Sequence, residues 1–176
     1  MRNTKTLSPL QTSSLIILRI FIGWQILFEG ISKLIDPNWT SYGFLSESKW
    51  LLSGFAHWVI SNKGVLNWVD FLNTWGLIAI GLGLVLGLFC RIAALSGALL
   101  LFMYYVNNPP LTGLEYSLPS EGNYLIVNKT LIESMALVVI AVFSSHLDFG
   151  LESLYKNFKT KRKIEEEEGT HSNEIN

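Results

Sequence analysis

Cysteine, histidine and charge are all scarce in this chain of 176 residues. It has 1 Cys, 3 His and only 15% charged residues. A single cysteine, Cys90, excludes an intramolecular disulfide, a CxxC redox pair and a thiolate metal cluster. His57, His146 and His171 are too far apart in sequence to form a local metal motif. A soluble domain normally carries about 25% charged residues, so the deficit points to a place where charge is excluded, and a lipid bilayer is that place. The net charge of -1 argues against a nucleic-acid partner, which would require a basic face.

What the chain does have is long apolar runs. A span needs about 20 predominantly apolar residues. One candidate runs from Ser14 to Ile35, a second from Val69 to Phe89, a third from Ile92 to Val106, and a fourth reaches that length only by starting near Tyr124 and ending at Phe143. The first run is too long and too polar for a signal peptide and lacks a small-x-small cleavage site. Cys90-Arg91 leaves so short a connection that the second and third runs read as an antiparallel helical hairpin. The fold class is therefore all-α, an integral membrane four-helix bundle over residues 1–150, with a charged, disordered cytoplasmic tail expected over 151–176. No internal repeat is visible.

Lys and Arg set the orientation. Arg2, Lys5, Arg91 and the basic cluster from Lys156 to Lys163 fall on one side, while Lys33, Lys49, Lys63 and Lys129 are spread over the other. Both termini are thus expected in the cytoplasm, with Cys90 kept as a thiol on that side. The first outer loop is long. Within it, Trp50 to Asn62 reads as a short interfacial helix with Ser53, Gly54, His57 and Ser61 on one stripe and Leu51, Phe55 and Trp58 on the other. His57 is expected to face water, or to carry protons at a site mouth.

The polar residues inside the spans carry the functional content, because charge facing lipid costs several kcal/mol. Arg19, Gly23, Ile26, Gly30 and Lys33 fall within an arc of roughly 80° on the first helix. Arg19 and Lys33 are nevertheless roughly 21 Å apart along the axis, so they cannot share one small head group. Asn73, Gly76, Ile80, Gly83 and Gly87 form a stripe on the second helix, with Gly83 and Gly87 in the spacing of close helix packing. Glu29, Lys33, Asp70, Asn73, Tyr104, Tyr105, Asn107, Asn128 and Glu133 all collect in the outer half. They form either a site capped by the outer loops or a structural network that fixes helix register. By depth alone, Glu133 is expected as the proton-exchanging group, Lys33 as its electrostatic partner, and Asn73 and Asn128 as orienting donors. Glu29, Asp70, Tyr104 and Arg19 complete the candidate set. Heme is not expected, since His57 lies on the outer side and His146 on the inner side, and no metal site is expected either.

The segments LRIFIGWQILFEGISKLIDPNW, VDFLNTWGLIAIGLGLVLGLFCRIA and PPLTGLEYSLPSEGNYLIVNKTLIE resemble the DoxX family, including its DoxD-like branch. The likeness covers about residues 14 to 146. Arg19, Gly23, Gly30 and Lys33 match the family's first-helix pattern, and Asn128 and Glu133 its fourth-helix pattern. The resemblance implies four membrane helices in a bacterial or archaeal cytoplasmic (inner) membrane. It also implies a membrane subunit of the thiosulfate:quinone oxidoreductase type, linking sulfur or thiol oxidation to the quinone pool, with quinone as electron acceptor. The DoxA-like partner region is not seen in this chain, so a separate protein partner subunit is expected, and a homo-oligomer is a further candidate. From a different class, a non-catalytic scaffold anchoring a redox or envelope partner is the alternative. A permease fits less well, because four short spans leave little room for alternating access.

Overall fold

The computed structural model describes residues 7–111 and 125–144. The second outer loop over most of its length, His146 and the charged tail lie outside the described residues. Every regular element among the described residues is an α-helix: α1 Pro9–Ile35, α2 Tyr42–Ser46, α3 Ser53–Ser61, α4 Lys63–Leu86, α5 Cys90–Asn107 and α6 Lys129–Phe143. Helix α1 begins earlier than the apolar run. Ser8 and Gln11 close a reciprocal capping box and Pro9 occupies the first turn, satisfying amides that would otherwise be orphaned.

Three helices, α1, α4 and α5, are long and apolar enough to cross a membrane. Helix α6 differs from the expected fourth span. It has 15 residues, which at a rise of about 1.5 Å per residue falls short of a hydrocarbon core about 30 Å thick. Its start is set at Asn128, whose side chain accepts from the Leu131 amide at 2.9 Å, so the segment from Leu125 to Asn128 is not helical. The described residues thus give an all-helical membrane protein with three span-length helices and a shorter α6 packed against α5. Large apolar side chains point outward on all of these helices, among them Phe21, Trp24 and Phe28 on α1, Phe71 and Leu72 on α4 and Leu99 on α5. That is the reverse of a water-soluble pattern and matches contact with lipid.

The buried core is small-residue packing around Ile22, Ile26, Leu77, Leu84, Ala94, Ala98, Leu137 and Ile140. Helices α1 and α4 approach most closely. A Cβ on Gly81 would lie 2.6 Å from the backbone of Leu27, and one on Gly30 2.9 Å from the Ile78 amide nitrogen. The expected glycine stripe on α4 is therefore only partly a packing stripe. Gly76 has open space around it, and Gly87 instead ends α4 with a left-handed φ of 68°, a conformation that favours glycine. Three residues later α5 begins, forming the expected hairpin. Helix α3 is shorter than the expected Trp50–Asn62 stretch, running Ser53–Ser61; it buries Ala56 and Val59, and His57 is exposed, as is the stacked pair Phe55 and Trp58.

Candidate functional site

The α1–α4 seam opens one turn beyond Gly30. There, the C-terminal end of α1, the N-terminal half of α4 and the C-terminal end of α5 surround a cavity of about 360 Å³, lined by Glu29, Lys33, Trp39, Thr40, Ser41, Gly43, Phe44, Asn73 and Tyr104. Glu29 and Lys33 are four residues apart, the helical spacing and order that pair an acid with a base. Lys33 Nζ donates to Glu29 Oε1 at 2.7 Å and to Asn73 Oδ1 at 2.9 Å. Asn73 Nδ2 in turn donates to the hydroxyl of Tyr104. The ammonium also lies 4.8 Å from the Trp39 ring centroid and 5.5 Å from that of Tyr104, within the range of attraction between a cation and an aromatic face.

This chain of bonds has capacity left over. An ammonium has three hydrogens, and two of those on Lys33 are directed to Glu29 and Asn73. Tyr104 uses its oxygen to accept from Asn73, so its own O–H remains a donor. Two donor groups therefore line a cavity whose walls include the Trp39, Phe44 and Tyr104 rings, with Phe44 set edge-on to Tyr104 at 5.4 Å. The charges of Glu29 and Lys33 cancel. The arrangement suits a planar, uncharged ligand with an exposed carbonyl oxygen better than a dianion, which would meet a cation already neutralised.

Of the residues expected at one site, Glu29, Lys33, Asn73 and Tyr104 come together. Glu133 does not join Lys33. Its Oε1 accepts from Gln25 Nε2 at 2.7 Å and lies 4.0 Å from Lys129 Nζ. The reason is depth: Glu133 stands on α6 beside Gln25, eight residues and so about 12 Å of helical rise along α1 before Lys33. Asp70 turns to the α1–α2 connection, accepting from Thr40 Oγ1 and the Ser41 amide at 2.8 Å each, and from Ser41 Oγ. Asn128 caps α6. Tyr105 donates to the Ile126 carbonyl oxygen. Arg19 is buried, 3% exposed, far down α1 from the cavity. Sequence reading missed Trp39, Thr40, Ser41, Gly43 and Phe44, which form the cavity's remaining wall. Their only local signal is a polar and aromatic stretch directly after Pro37, without helical periodicity.

No curated protein and no solved structure matches the chain. The DoxX family model matches residues 14–107, a stretch that holds most of α1, all of α4 and α5 and, with them, every residue lining the cavity. The chain belongs to the DoxX family.

Proposed function

We propose that this protein is the membrane subunit of an oxidoreductase system that delivers electrons from sulfur or thiol oxidation to the quinone pool, with the quinone head group held in the Lys33, Asn73 and Tyr104 cavity. The donor capacity left on Lys33 and Tyr104 between aromatic walls carries this reading. Reduction of a quinone to a quinol takes up two electrons and two protons. The electrons come from a thiol or reduced sulfur donor oxidised on a partner subunit. Lys33 holds a proton at Nζ at the cavity wall, and Glu29, bonded to that same nitrogen, is the carboxylate placed to exchange with it. Asn73 fixes the ammonium by accepting from it and fixes Tyr104 by donating to its hydroxyl. Glu133 takes the lesser role of a clasp between α1 and α6.

The same reading places α6 as a fourth, short crossing, both termini in the cytoplasm, and the cavity in the outer leaflet of a bacterial or archaeal inner membrane. On a background with Cys90→Ala, an impermeant thiol reagent added outside should label Ser46→Cys and spare Arg91→Cys. The opposite pattern inverts the orientation. For the function itself, protein purified in its native lipids is extracted and assayed for quinone. Enrichment over the surrounding lipid supports the redox reading, whereas quinone at the bulk level favours a scaffold that anchors a partner.

A further inference from the structure

The wall of the cavity formed by residues 39–48 is tied down at both ends. At its start, Asp70 of α4 accepts from Thr40 Oγ1, the Ser41 amide and Ser41 Oγ. Near its end, Asn107 of α5 donates from Nδ2 to the Phe44 carbonyl oxygen at 3.3 Å, while its backbone carbonyl oxygen accepts from Ser48 Oγ at 3.4 Å. Ser41, Ser48 and Asn107 are all buried. Between the ties, Thr40, Tyr42 and Gly43 are exposed, and a Cβ on Gly43 would meet nothing within 4 Å.

The ties share a register with the cavity. Asp70 precedes Asn73 by three residues on α4, and Asn107 follows Tyr104 by three on α5. In a helix, residues three apart lie on one face, so each helix presents one residue to the cavity and, one turn toward the helix end, one residue to the segment that covers it. That segment brings Trp39 to Lys33 and Phe44 to Tyr104, setting an aromatic ring on each of the groups with donor capacity.

We infer that Asp70 and Asn107 are positioning residues that hold residues 39–48 as a roof, so that Trp39 and Phe44 enclose the ligand bound to Lys33 and Tyr104. The ligand part of this inference rests on the quinone reading of the cavity; the roof itself does not. Asp70 accepts three hydrogen bonds from the roof and carries most of its attachment. Loss of Asp70 therefore frees Trp39 while the helices beneath stay packed.

Hydrogen exchange by mass spectrometry on the full chain in lipid nanodiscs reads the roof directly, and titration with a short-tailed benzoquinone reads the cavity. In Asp70→Ala, peptides covering 39–48 should exchange at least tenfold faster than in the wild type, those of α4 and α5 should be unchanged, and the benzoquinone Kd should rise about tenfold. Asp70→Asn keeps an acceptor oxygen and should restore a large part of both. Where Asp70→Ala gives no folded protein, Thr40→Val combined with Ser41→Ala removes side-chain donors from the roof and leaves α4 untouched; the same local loosening is expected. Unchanged exchange over 39–48 in these variants overturns the roof, whatever the ligand does. Faster exchange in a protein whose wild type binds no benzoquinone leaves the roof standing and removes the quinone reading. Faster exchange with an unchanged Kd overturns the positioning role.

Discussion

Helices α1 and α4 meet in two ways along one interface. From Gly23 to Gly30 the contact is dry and backbone-close, with Gly81 against Leu27. One turn later, at Lys33 and Asn73, the same two helices diverge around a polar cavity. The close region leaves no room for a Cβ, so its energy is packing, while the open region leaves donors and space, so its polar groups can act on a ligand. The contrast also separates two polar clusters on α1. Gln25 and Glu133 are bonded to one another and lie outside the cavity lining. Glu29, Lys33, Asn73 and Tyr104 are bonded in series at its edge.

The largest effect is expected at the seam. Gly81→Ala drives a methyl group into the Leu27 backbone and should destabilise the protein by about 3 kcal/mol, the upper part of the range for overpacking. Gly76→Ala, on the same helix with open space around it, should instead stabilise by about 0.5–1 kcal/mol, since alanine is the better helix former. Unfolding in mixed micelles measures both, and equal responses would erase the distinction between seam and open face.

At the cavity, Lys33→Met keeps length and removes the charged donor. Hydrogen bonds to charged groups contribute about 1.5–3 kcal/mol, so benzoquinone affinity should fall roughly ten- to a hundredfold while the fold persists. Tyr104→Phe keeps the ring against Phe44 and loses only the hydroxyl, a neutral donor, for which about 1 kcal/mol corresponds to a loss of several-fold. Glu29→Gln leaves the Lys33 charge unneutralised, and the cavity should then gain affinity for an oxyanion such as thiosulfate, as read by isothermal titration.

The smallest effect is expected at the clasp. In Glu133→Gln the side-chain carbonyl can still accept from Gln25, so stability should change by less than about 1 kcal/mol and benzoquinone affinity should be unaffected. A collapse of quinone-linked turnover in this variant, with Glu29→Gln left active, would return the proton-exchanging role to Glu133.

Much of this contrast was legible before the structure. Gly23 and Gly30 are buried on the helix-facing stripe of α1 as their spacing requires, and the α4–α5 hairpin, with three residues between its helices, follows from the two residues, Cys90 and Arg91, between the apolar runs. The site was legible in depth only in part. Counting residues along each helix sets Lys33 and Asn73 at one height, as their hydrogen bond shows, but it misplaces Glu133, which stands level with Gln25 about two turns away, because the start of α6 and its offset against α1 are set by packing that no count along one helix contains. The Glu29–Lys33 pair could have been read from its four-residue spacing. The helix start at Pro9 precedes the apolar run because the Ser8 and Gln11 capping box, not hydropathy, decides where α1 begins; α4 also starts ahead of its run, at Lys63, without a side-chain cap. The roof was illegible, since its ties to Asp70 and Asn107 join residues about 30 and 60 positions apart without any local periodicity.

The central claim is that Lys33 and Tyr104 donate to a quinone carbonyl in a cavity enclosed by aromatic rings. Infrared difference spectroscopy with a benzoquinone carrying a carbon-13 label at its carbonyls tests it most directly. In the wild-type protein the labelled C=O stretch should move to lower wavenumber than in lipid alone, return part of the way in Tyr104→Phe and most of the way in Lys33→Met, and be unaltered in Glu133→Gln. A carbonyl band in the wild type identical to that in lipid would contradict the account.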